Sequence, residues 1–126
     1  MSMALDLTAE KMTAYRATAQ QRLAQELQQE DQRHERAWEL ARGAAQFLKE
    51  TFGATRVVAF GSLVHVGCFT RWSDVDIAAW GVRPEDTFRA ISALRAMDAE
   101  IAVSLAVVET CLPSLRATIE SQGVAL

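Results

Sequence analysis

From residue 8 to residue 50 the apolar positions return at three- and four-residue steps. Met12, Tyr15, Ala19, Leu23 and Leu27 form one stripe, and Trp38, Ala41, Ala45 and Leu48 form a second. That period is the signature of an α-helix. The segment between the stripes, QQEDQRHER, is polar all round, and the stretch 8–50 holds no Pro and a single Gly, Gly43. One long helix, or two nearly collinear ones, is therefore expected over residues 1–50. The first stripe is thin, as on helices that need a partner or dimer contact. The second is expected to fold back onto the domain's own core. His34, in the polar segment, is expected to face solvent.

After Gly53 the pattern shifts to short apolar runs. TRVVAF (55–60), VDIAAW (75–80) and IAVSLAVVE (101–109) read as strands, rich in β-branched residues and bounded by Gly or Pro. PEDTFRAISALRAM (84–97) carries Phe88, Ile91 and Leu94 on one helical face, and LPSLRATIESQG (112–123) has Pro and Gly where a helix starts and stops. The order helix, strand, strand, helix, strand, helix predicts an α+β fold with a small mixed three-stranded sheet. The core would span 51–126.

Composition narrows the function classes. A chain of 126 residues with half of them hydrophobic suits one globular domain, and a net charge of −3 gives no basic field for nucleic acid. No apolar run reaches the length of a membrane helix, and the N-terminus lacks the pattern of a secretion signal. A cytoplasmic protein is the expectation. Cys68 and Cys111 fit no metal or redox spacing and read as reduced thiols.

One strand breaks the apolar rule. Asp74 and Asp76 stand one residue apart at the start of VDIAAW, so they share a face of the sheet. Two like charges side by side repel unless something neutralises them, and a divalent cation with oxygen ligands does so most simply. Alone, an Asp-x-Asp pair is a weak signal. Upstream, however, the first strand runs into Gly61-Ser62, where a bare backbone and a hydroxyl suit close approach of phosphate oxygens. Eleven residues separate Ser62 from Asp74, enough for a turn and a loop that return the chain beside the first strand.

The stretch FGSLVHVGCFTRWSDVDIA resembles the signature of the minimal nucleotidyltransferases, small relatives of the DNA polymerase β nucleotidyltransferase superfamily: hydrophobic-G-S, a loop, then S-D-x-D-hydrophobic. The resemblance runs from about Leu48 to Leu126 and implies a polymerase β-like core with flanking helices. It implies that Gly61 and Ser62 contact a triphosphate, that Asp74 and Asp76 hold Mg²⁺ or Mn²⁺, and that Ser73 and Arg71 are secondary nucleotide-binding candidates. The family's third catalytic acid falls at Ser104, in VSLA; Glu100 and Glu109 are the nearest acids and neither occupies its position.

Stand-alone members of that family often act as antitoxins in toxin–antitoxin pairs. They transfer AMP from ATP to a tyrosine of a HEPN-type helical ribonuclease toxin. The resemblance implies that activity here. The alternative is a catalytically weakened nucleotide-binding module that neutralises its partner by binding, since Ser104 replaces an acid. A small-molecule acceptor ranks last, because such enzymes use more chain to cover it.

Overall fold

The computed structural model describes residues 8–126, which divide into two compact units, one ending at Gln32 and one running Arg33–Leu126. The first helix, α1 (Ala9–Phe52), is uninterrupted. In the first unit it is a single exposed helix, its residues drawn largely from Ala, Gln, Glu and Arg, all good helix formers. The second unit begins earlier than the expected boundary at Thr51. Ala37, Ala41, Ala44, Ala45 and Leu48 are all buried in its core, so this stretch of α1 belongs with the sheet it covers.

That sheet holds β1 (Arg56–Phe60), β2 (Val75–Trp80), β3 (Val103–Val107) and β4 (Val124–Ala125), in the order β3-β2-β1-β4. It has four strands where three are expected. The added strand is two residues long, too short to carry an alternating pattern, and it pairs antiparallel with β1 (Val58 with Ala125, Ala59 with Val124). β1 and β2 are antiparallel, and β2 and β3 are parallel, joined by a crossover that contains α2 (Thr87–Arg95). A parallel pair requires such a crossover. The class is α+β with a mixed sheet, and α3 (Pro113–Gln122) follows β3.

Alternation along the strands divides the core in two. On one face Val57, Ala59, Val75, Ile77, Ala79 and Val103 pack with α1 and with Ala90 and Leu94 of α2. On the other, Val58, Ala78 and Val108 pack with Ile119 of α3, and Phe60, Trp80 and Leu115 adjoin them. Each fully buried Leu, Ile or Val contributes about 1.5–3 kcal/mol relative to exposure. The small residues Ala78 and Ala79 let helices approach a sheet covered on both sides.

Two ion-pair clusters brace the periphery. Asp98 accepts backbone N–H groups of Glu100 and Ile101 and pairs with Arg36. Asp86, buried at the start of α2, pairs with Arg83 and Arg89. Cys68 and Cys111 are both free thiols. Among the described residues no helix is long and apolar enough to cross a membrane.

Candidate functional site

β1 ends at Phe60, and the chain turns at once. Gly61 adopts φ +73°, a left-handed conformation that costs other residues about 1–2 kcal/mol. A 3-10 turn, Gly61–Val64, follows and is anchored by buried Leu63. The loop that returns to β2 is closed by its own polar groups. Thr70 N–H donates to Ser73 Oγ (2.9 Å), Ser73 N–H to Thr70 O (3.0 Å), and Trp72 N–H to Thr70 Oγ1 (3.2 Å). Asp74 emerges exposed from this turn, directly before β2.

The register then places three strands' residues in one row. Asp76 lies opposite Phe60 on β1 and opposite Ser104 on β3. The next row, Val58, Ala78 and Ala106, lies in the cluster beneath α3. Asp76 and Ser104 are half-buried, one row beyond. Gly61 abuts this row: a methyl group in place of its hydrogen would sit 2.5 Å from Asp76 Oδ2. The bend after β1 and the carboxylate of β2 are thus in direct contact, and only glycine permits it.

Burial, and secondarily the charge of Asp74, holds the Asp76 carboxyl above its ordinary range. Among the described residues, neither Asp74 nor Asp76 joins an ion pair; the six present involve other acids. The acids that are ion-paired elsewhere in the unit all share their charge with arginine, and Asp74 and Asp76 have no such partner. Their hard oxygen donors, with the neutral hydroxyl of Ser104 in the adjacent strand, suit a cation such as Mg²⁺. Among the described residues no three His, Cys, Asp or Glu side chains gather into a ligand set.

Of the residues singled out by sequence, Gly61 abuts Asp76, Ser104 is in register with Asp76, and the charge of Asp74 acts on Asp76, with Ser62 next along the bend. Ser73 is close in sequence, but its hydroxyl is engaged in closing the loop. The guanidinium of Arg71 lies over the ring of Trp72, 5.7 Å from its centroid, while its carbonyl accepts from Arg33 (2.9 Å). Glu100 pairs with Arg36, and Glu109 Oε1 accepts the N–H of Gly81 (2.7 Å), so both acids near β3 serve elsewhere.

Two histidines support the bend. His34 is not solvated as expected: it is half-buried, its Nε2 is 3.4 Å from Leu63 O, and its ring packs on Trp38 and Phe69. The polar run around it hides that contact, because only the folded unit brings Leu63 to it. His65 Nε2 lies 3.0 Å from Gln122 Oε1, tying the turn to the end of α3. No local signal in the sequence announces a partner 57 residues away.

No protein-family model matches the chain, and no curated protein matches it.

Proposed function

We propose that the second unit is a Mg²⁺- or Mn²⁺-dependent nucleotidyltransferase domain that binds ATP between the Gly61-Ser62 bend and the Asp74–Asp76 pair. The observation that carries this reading is the contact of Gly61 with the Asp76 carboxylate, in a row that ends at Ser104. It joins a phosphate-suited backbone bend to two uncompensated acids, and the motif's resemblance to minimal nucleotidyltransferases supports the same chemistry. Asp74 and Asp76 would hold the cation, which supplies charge neutralisation for the triphosphate. Gly61 lets the bend close against Asp76, and Ser62 offers N–H and hydroxyl groups to phosphate oxygens. Fixed donors of this kind lower a barrier by position and electrostatics rather than by covalent participation.

The reaction would join an acceptor hydroxyl oxygen to the α-phosphorus of ATP, break the bond to the bridging oxygen, release pyrophosphate and pass the hydroxyl proton to solvent. The acceptor we infer is a tyrosine of a HEPN-type toxin, which would make the protein an antitoxin. The second reading, a weakened module that neutralises its partner by binding, is favoured by one observation: the position in register with Asp76 on β3 is Ser104 and not an acid.

Titration calorimetry of ATP with Mg²⁺ tests the site. Wild type should bind, and the Asp74→Ala/Asp76→Ala double variant should lose cation-dependent binding while keeping its fold. Equal affinity in both would refute the site. Incubation with labelled ATP and a candidate helical toxin separates transfer from binding alone; label on the toxin supports the enzyme, and a neutralised but unlabelled toxin supports the module.

A further inference from the structure

The first unit carries an apolar face that its described residues do not cover. Met12 is 41% exposed, Tyr15 78%, Leu23 57% and Leu27 53%. Tyr15, Ala19, Leu23 and Glu26, with Thr18 and Arg22, line one shallow concavity along the helix. Helices in proteins draw most of their stability from packing an apolar face. Among the described residues of the first unit, none packs on this face.

We propose that the partner is a second copy of the same helix, packed antiparallel. Charge along the helix selects both the partner and the direction. Residues 9–19 carry Glu10, Lys11 and Arg16, net +1; residues 20–32 carry Arg22, Glu26, Glu30 and Asp31, net −2. A parallel, in-register pair would set Glu26 beside Glu26 and Arg16 beside Arg16. An antiparallel pair centred near Gln21 sets Tyr15 beside Leu27 of the second copy and Ala19 beside its Leu23. It also sets Arg16 beside the second copy's Glu26 and Lys11 beside its Asp31. Stripe and charge are satisfied together by one arrangement, and the helix macrodipoles oppose favourably in it. The face is narrow, so the interface belongs to the small, reversible class rather than the obligate one. This inference is independent of whether the other unit binds nucleotide.

Sedimentation velocity of the full chain across the micromolar range should show a monomer–dimer equilibrium. Leu23→Lys with Leu27→Lys should weaken it by more than about tenfold, with far-UV circular dichroism confirming that the second unit stays folded. Arg16→Glu should weaken the dimer, and Arg16→Glu combined with Glu26→Arg should restore it. These positions lie ten residues apart, too far to interact within one helix. For direction, Tyr15→Cys and Leu27→Cys chains, made in a Cys68→Ser/Cys111→Ser background and mixed, should cross-link to each other. A chain that stays monomeric throughout, a failed charge-swap rescue, or preferential cross-linking of Tyr15→Cys chains to themselves would overturn the proposal.

Discussion

The contact between Gly61 and Asp76 yields a quantitative test. Gly61→Ala incurs two costs. Its backbone, at φ +73°, is strained by any side chain, worth about 1–2 kcal/mol. The new methyl would also lie 2.5 Å from Asp76 Oδ2, with Cγ and Cβ at 3.4 and 3.5 Å. Only the carboxylate oxygen is too close, so the Asp76 side chain must rotate away by about 1 Å to regain van der Waals separation. Forcing a side chain about 30° off its rotamer costs about 0.5–1.5 kcal/mol. Gly67 provides the control: it has φ +77°, and nothing lies within 4 Å of an added methyl. Gly67→Ala should therefore cost about 1–2 kcal/mol and Gly61→Ala about 2–3 kcal/mol. At roughly 4 °C per kcal/mol, their melting temperatures should separate by a few degrees. Urea titration of both variants measures the difference. Adding Asp76→Ala should erase the excess in Gly61→Ala and leave the cost of Gly67→Ala unchanged. Calorimetry should show Mg²⁺–ATP binding lost in Gly61→Ala and kept in Gly67→Ala. Equal destabilisation by the two alanines, or an excess that survives removal of the carboxylate, would refute the contact as the organising feature of the site.

Other consequences follow from the charges. Burial and Asp74 raise the Asp76 pKa, so its contribution is favourable while protonated and is lost as pH rises through its folded value. Asp76→Asn should accordingly raise the melting temperature at pH 7 in cation-free buffer, with the gain vanishing at acid pH. Asp98 behaves oppositely: the N–H of Ile101 first, then that of Glu100 and Arg36, hold its carboxyl below the usual range despite burial. Its stabilisation is present above the ordinary carboxylate range and lost as pH falls through the folded value, so Asp98→Asn should lower the melting temperature at pH 7 and converge with wild type in acid. Ser104→Asp would set a third acid in register beside Asp76; it should destabilise the cation-free protein and strengthen Mg²⁺ binding, and unchanged affinity would show that Ser104 does not face the pair. Ile119→Ala, removing a fully buried side chain that closes the α3 face, should cost about 2–5 kcal/mol in denaturant titration.

Particular residues explain what could be read in advance. β2 matched its expected span because an apolar run ends sharply at Gly81, and alternation alone put Asp76 on the opposite face from Val75 and Ile77. The second stripe of α1 packs as its period implies. The third strand was expected to run from 101 to 109, yet its flanks leave the ladder: Ile101 turns onto Asp98, and Val108 enters a 3-10 turn. β4 was invisible because two residues have no period. The tight approach of Gly61 to a carboxylate 15 positions later is a property of register, which the antiparallel pairing of Phe60 with Asp76 supplies and no local pattern does. His34 was misjudged for the same reason, since its neighbours in sequence are polar and its neighbours in space are not.

The shortest strand has an effect out of proportion to its length. β4 occupies the outer side of β1, and Leu126 continues the seal, its N–H bonding Val57 O at 3.0 Å and its carbonyl accepting Lys49 Nζ at 2.8 Å. Beneath lies Arg-Val-Val-Ala-Phe, a run whose bare backbone would recruit strands from neighbouring molecules. A chain shortened by its last three residues would keep every acid and every glycine of the bend and still be prone to aggregate, because the seam that keeps β1 from templating fibrils would be open.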